Sequence, residues 1–104
     1  MLYLSYGKNV RVVIVSFKSK ALKIYFQDDD PSKLPTHHIQ KIRLMLGRLD
    51  LATSPEMMDQ PGYKYHALKG NRTGHFALWV NGNWRLTFRF EDGDAYDVDY
   101  LDYH

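Results

Sequence analysis

Apolar residues follow two different periods along the chain. In the first half they recur at threes and fours. From Ser19 to Phe26, Leu22 and Phe26 fall on one helical face with Lys20 and Lys23 elsewhere, and Ser19 is placed to cap the start. A second stretch carries Ile39, Ile42, Leu46 and Leu49 on one stripe, with Thr36 as its cap and an end expected near Leu51 and Ala52. Between the two, Asp28-Asp29-Asp30-Pro31 makes a solvated acidic turn. Ahead of them, Val10 to Phe17 is a nearly unbroken β-branched run that suits a strand buried on both faces, while Met1 to Asn9 has no clear period.

The second half alternates. Tyr63 to Leu68, His75 to Val80, Arg85 to Phe90 and, more weakly, Ala95 to Tyr100 each switch between apolar and polar at every residue. Their connections, Lys69 to Gly74, Asn81-Gly82-Asn83 and Glu91-Asp92-Gly93-Asp94, carry hairpin chemistry. A loop between Thr53 and Gly62 holds one short turn at Glu56 to Asp59. The expected architecture is α+β: two N-terminal helices packed on one face of a mainly antiparallel twisted sheet, with the opposite face open to a ligand.

Length and composition narrow this picture. A chain of 104 residues makes one domain with a single core. A net charge of +2 does not demand a nucleic-acid partner but allows one where the cations gather on one face. Cysteine is absent, which excludes disulfides, a thiolate nucleophile and a cysteine zinc site, so the cytoplasm is the default compartment. No apolar run approaches the roughly 20 residues of a membrane helix, and no export signal opens the sequence.

The candidate chemistry lies in the alternating half. Period two puts Arg85, Thr87 and Arg89 on one face and Trp84, Leu86, Phe88 and Phe90 on the other, so the apolar set meets the helices and Arg85 faces the open side. His66 falls on a neighbouring strand, Lys69 stands where that strand turns, and Asp102-Tyr103-His104 closes the chain. Each has a plain reading alone: a surface histidine, a solvated hairpin lysine, an arginine beside Trp84, a frayed terminus. His37 and His38 are expected to do no more than solvate a helix start, and no spaced ligand set supports a metal site. Together the set suggests phosphodiester chemistry on RNA. Two imidazoles trade protons near neutral pH, one Lys and one or two Arg hold a pentavalent phosphate, and a Tyr face stacks a base, so no metal or other cofactor is required.

These residues resemble the HigB toxins of the RelE superfamily. The resemblance runs from Ser16-Phe17-Lys18-Ser19-Lys20-Ala21-Leu22-Lys23, through the second helix, to Tyr63-Lys64-Tyr65-His66-Ala67-Leu68-Lys69-Gly70-Asn71-Arg72. It continues through Gly82-Asn83-Trp84-Arg85 and Asp92-Gly93-Asp94-Ala95-Tyr96 to the terminal Asp102-Tyr103-His104. It implies one RelE-like domain over residues 1–104, with 1–9 extending the family's usual start. It also implies a type II toxin that enters the ribosomal decoding site, cuts messenger RNA there without a metal and arrests growth. By this resemblance His66, Lys69, Arg85, Asp102, Tyr103 and His104 match catalytic positions, and Lys20, Lys23 and Arg72 match contacts to RNA and the ribosome. A helix-turn-helix antitoxin of the HigA type is the implied partner, and no membrane is involved. Ala67 stands where relatives often have Pro, and Asn71 and Leu101 where they often have an acid, yet no candidate catalytic group is lost. The alternatives are a ParE-like protein that poisons DNA gyrase by binding, for which proton-transfer residues have no use, and a non-catalytic RNA-binding remnant.

Overall fold

The computed structural model describes residues 14–103. The leader Met1 to Asn9, the first four residues of the expected first strand, and His104 therefore lie outside the described residues. What remains of that strand runs parallel to the last strand of the sheet, with Ile14 bridged to Ala95 and Phe17 to Val98. The Val15 N–H donates to the Ala95 carbonyl at 2.7 Å, and the Lys18 N–H to that of Val98 at 2.9 Å. Burial on both faces is not observed: Ile14 is buried, but Val15 is 54% exposed. The segment lies at the sheet margin, where packing covers only one of its sides.

Helix α1 spans Lys20–Asp28. The Ser19 hydroxyl accepts from the Leu22 N–H at 3.2 Å, the expected cap, which contributes about 1 kcal/mol. Its buried pair is Leu22 and Tyr25, with Phe26 at the core's periphery, and Asp29 ends it in a left-handed conformation at φ 55°. Thr36 does not cap the second helix by its side chain. It opens a 3₁₀ turn, Thr36–His38, and α2 spans Ile39–Leu49 with His38 in the cap position. Ile42, Met45, Leu46 and Leu49 are its buried stripe. Leu51 is 71% exposed, so the stripe stops at Leu49 and the helix with it, two residues short of the expected end. The short turn in the following loop is a 3₁₀ turn at Pro55–Met58.

Four strands follow: β1 His66–Ala67, β2 His75–Asn81, β3 Trp84–Glu91 and β4 Asp94–Asp102. They form one antiparallel sheet in chain order. At the β3–β4 turn Asp92 and Gly93 both take positive φ, 52° and 84°, as a type I′ hairpin requires. The first strand is far shorter than the alternation of Tyr63 to Leu68 suggests, because Lys64 adopts φ 49° and carries the chain out of the pleat. Only the Tyr63 carbonyl, which accepts from the Trp79 N–H at 2.7 Å, continues the pairing outward.

Both helices pack on one face of this sheet, in the first half of the chain but after an edge segment rather than at its start. Leu22, Ile42, Met45 and Leu49 share one core with Leu78, Leu86, Phe88 and Val98. Burial of such side chains, at about 1.5–3 kcal/mol each, is the main force joining the layers. No helix among the described residues is long and apolar enough to cross a membrane.

Candidate functional site

Register decides which polar residues share the face away from the helices. His66 is paired with Ala77, Ala77 with Thr87, and Thr87 with Asp99, so these four make one row across the sheet. The next row holds Trp79, Arg85 and Leu101. Directly paired residues point to the same side, so His66 and Arg85 occupy one face, roughly 12 Å apart across two strands and one row. Thr87, fully buried, lies under Arg72, whose Nη2 donates to Thr87 Oγ1 at 3.4 Å. The 3₁₀ turn Gly70–Arg72 brings this arginine over the sheet.

Arg85 is held at the hairpin mouth by backbone acceptors. Its Nη1 donates to the Gly82 carbonyl at 3.0 Å and to that of Trp84 at 3.2 Å, and its guanidinium carbon stands 5.6 Å from the centre of the Tyr103 ring. Tyr103 is fixed there by its own N–H, which donates to the Asn83 carbonyl at 2.8 Å. A guanidinium has five N–H donors, so most of those on Arg85 remain for an anion. Arg89, by contrast, is taken up by Glu91 at 2.6 Å and Asp97 at 3.2 Å. Both carboxylates raise its pKa.

His66 is exposed, and its Nδ1 lies 2.9 Å from the Lys64 carbonyl. A carbonyl oxygen only accepts, so Nδ1 carries the hydrogen in either charge state and Nε2 is left to exchange a proton. Lys69 is exposed where β1 leads into the 3₁₀ turn, and its carbonyl accepts from the Arg72 N–H at 3.2 Å. Asp102, Lys20 and Lys23 fall elsewhere. Asp102 pairs with Trp84 and so shares the opposite face from Arg85 and Leu101. Lys20 and Lys23 are exposed on α1, in the helical layer across the sheet from Arg85. His104 lies outside the described residues.

His38 corrects the expectation placed on it. It is 3% exposed, and its Nδ1 is hydrogen-bonded to the Tyr100 hydroxyl. Its ring meets Trp84 and Tyr100 edge-on, and those two stack with centroids 4.5 Å apart. This cluster ties the start of α2 to the rung Trp84–Asp102, from which the chain's last residues emerge. An aromatic in Asn83-Trp84-Arg85 is the only local hint of it, because the contact joins residues 62 positions apart.

Burial lowers the His38 pKa below its usual 6.5, with the neighbouring His37 acting in the same direction. Burial also pushes the Tyr100 hydroxyl up to about 12, aided by the Asp102 carboxylate. The unfolded chain binds a proton near pH 6.5 that the folded His38 rejects, so this contribution to stability is complete above pH 6.5 and declines as pH falls toward the lower folded value. Denaturant titrations at about pH 7.5 and about pH 5.5 are expected to show that loss, and His38→Gln, neutral at both, is expected to remove its share. An unchanged pH slope in the variant contradicts this assignment.

Comparison with known proteins covers most of the chain. A family profile described as "RelE-like toxin of type II toxin-antitoxin system HigB" matches residues 15–104. The chain is similar to "Endoribonuclease HigB" of Proteus vulgaris, 41% identical over 92 residues that cover 88% of this chain and all of that protein. It is similar to "Toxin HigB-1" of Vibrio cholerae at 31% identity over 96 residues, 86% of this chain and 96% of that one. Among solved structures it resembles the YoeB dimer from Staphylococcus aureus, with a TM-score of 0.56, 24% identity, and coverage of 90% of this chain and 98% of the other, a likeness of fold.

Proposed function

Because the chain belongs to the HigB-like family of RelE-like toxins from type II toxin–antitoxin systems, we propose that it is a toxin endoribonuclease that cuts messenger RNA in the ribosomal decoding site and so arrests translation. The observation that carries this reading is the meeting of Arg85 with Tyr103 on the face that also bears His66. The ribose 2′-hydroxyl attacks its own 3′-phosphate, since nucleophile and electrophile are already tethered, and the products are a cyclic phosphate and a 5′-hydroxyl end. His104 takes the hydroxyl proton, and Asp102, which faces away from Arg85 at the strand's end, acts only through that imidazole as its carboxylate partner. His66 gives a proton from Nε2 to the departing oxygen, each transfer contributing about 10²–10⁴-fold. Arg85 and Lys69 stabilise the added negative charge of the pentavalent state, and Tyr103 stacks on a splayed base.

Lys20 and Lys23, on the helical layer, contact ribosomal RNA, and Arg72 contacts RNA on the opposite face. The ribosome supplies substrate geometry, so free RNA is cut weakly. The site of action is the cytoplasm, and a HigA-like helix-turn-helix antitoxin is the partner that restrains the toxin. Induction in growing cells followed by mapping of RNA ends tests this. New 5′-hydroxyl ends inside translated messages are expected. Intact message with gyrase-linked DNA breaks favours the ParE-like reading instead, and uninhibited growth favours an inactive remnant.

A further inference from the structure

Trp79 stands at the middle of a strip of cations and rings, of which the catalytic assignment uses Arg85 and Tyr103 but not Trp79, Lys41 or Lys64. Its indole N–H donates to the Gly82 carbonyl at 2.9 Å, the same oxygen that accepts from Arg85 at 3.0 Å. Trp79 and Arg85 are also direct cross-strand partners, so they lie side by side on one face. At the segment before β1, Lys41 reaches over from α2 to the Gly62 carbonyl, and its Nζ is 4.2 Å and Lys64 Nζ 4.5 Å from the Trp79 ring centre. On the far side of Arg85 is the Tyr103 ring. Crossing the sheet from its β1 side, the order is two ammoniums, indole, guanidinium, phenol.

The two ammoniums share one indole, so like charges gather around a single ring, and an anion bound there offsets their repulsion. That repulsion is felt here: burial and the Lys64 charge both lower the Lys41 pKa. Lys41 is fixed by donation to the Gly62 carbonyl at 3.0 Å, and Lys64 is exposed on a backbone at φ 49°, a conformation unfavourable for lysine. Non-glycine residues in that region collect at functional sites. The same turn also orients His66, whose Nδ1 donates to the Lys64 carbonyl. Interleaved cations and aromatic rings that continue into a phosphate-directed arginine suit an unpaired nucleic-acid strand better than a duplex or an acidic peptide.

We propose that Lys41, Lys64 and Trp79 form a subsite for single-stranded RNA, the two ammoniums gripping the phosphodiester next along the strand from the one at Arg85. The subsite rests on the nuclease reading above and gives it a direction: the message crosses the sheet perpendicular to the strands. Adjacent strands lie about 4.8 Å apart, and the lysine side chains extend that step to the order of one nucleotide repeat.

A short fluorescent oligonucleotide with 2′-O-methyl riboses, which has no 2′-hydroxyl to attack, tests the subsite by anisotropy over a range of salt. Lys41→Gln/Lys64→Gln is expected to bind about tenfold more weakly and to show a salt slope shallower by about 0.7 for each phosphate that is no longer neutralised. Trp79→Ala is expected to weaken binding as well, and Lys33→Gln, in the exposed turn before α2, to bind as the parent does. Thermal melting verifies the fold, and Lys64→Gln alone serves if the double variant is unstable. Parental affinity and slope in the lysine variants overturn the proposal, as does a weakening confined to ribosomes without message. If the parent binds the oligonucleotide with the expected slope but cuts no message, the nuclease reading fails while the subsite stands.

Discussion

Replacing Arg85 with alanine is expected to lower RNA cleavage on programmed ribosomes by about 10²- to 10³-fold, the usual effect of deleting one donor aimed at developing negative charge. The melting temperature should stay close to that of the parent. Arg85 lies on the sheet face outside the core, and its hydrogen bonds go to hairpin carbonyls that water can satisfy instead. Arg85→Lys keeps the charge but not the planar fork, so an intermediate loss is expected. Parental cleavage rates in Arg85→Ala would remove this guanidinium from the mechanism.

His66→Ala is expected to cost about 10²–10⁴-fold in cleavage, as does His104→Ala, because each abolishes one proton transfer. The double variant should fall little further than the worse single one, since partners in one step are strongly non-additive. His66 is exposed and its ring bonds only to the Lys64 carbonyl among the described residues, while an alanine keeps its backbone pairing with Ala77, so the substitution should leave folding intact. Single-turnover kinetics on ribosome-bound message separate this from a binding defect. If His66→Ala alters only ribosome affinity, the imidazole is a contact and not an acid.

Much of the fold was legible because it follows from local rules. Ser19 caps α1, the Ile42–Leu46–Leu49 stripe faces inward, and Asp92-Gly93 makes a tight hairpin, each readable from a few neighbouring residues. The separation of Arg85 from Leu86 and Phe88 follows from period two alone. The meeting of Arg85 with Tyr103 needed more, namely that β3 and β4 be neighbours in register, which a short turn makes the simplest outcome.

What escaped the sequence depends on distant contacts. Lys64 reads as part of an alternating strand, yet its left-handed backbone leaves β1 only two residues. His38 reads as a solvated helix start, and its burial depends on Tyr100 arriving from the other end of the chain. Trp79 carries no motif, and its place beside Arg85 emerges only when both are seen to share the Gly82 oxygen. Lys20 and Lys23 sit beside the early motif in sequence but across the sheet from Arg85 in space.

The pairing of β3 with β4 slips between Thr87 and Arg89: Thr87 faces Asp99, yet Arg89 faces Tyr96, and Asp97 at φ 53° absorbs the surplus residue. Ser16 and Arg89 anchor that bend, through the Asp97 N–H and its carboxylate respectively. The odd residue works as a parity switch for everything downstream. Delete it and the strand's final residues change sides, turning Leu101 and Tyr103 toward the helices and Asp102 toward the guanidinium. Which groups of the terminal triplet can reach a bound strand is thus set by a headcount several positions upstream, so natural insertions and deletions in this stretch should come in twos.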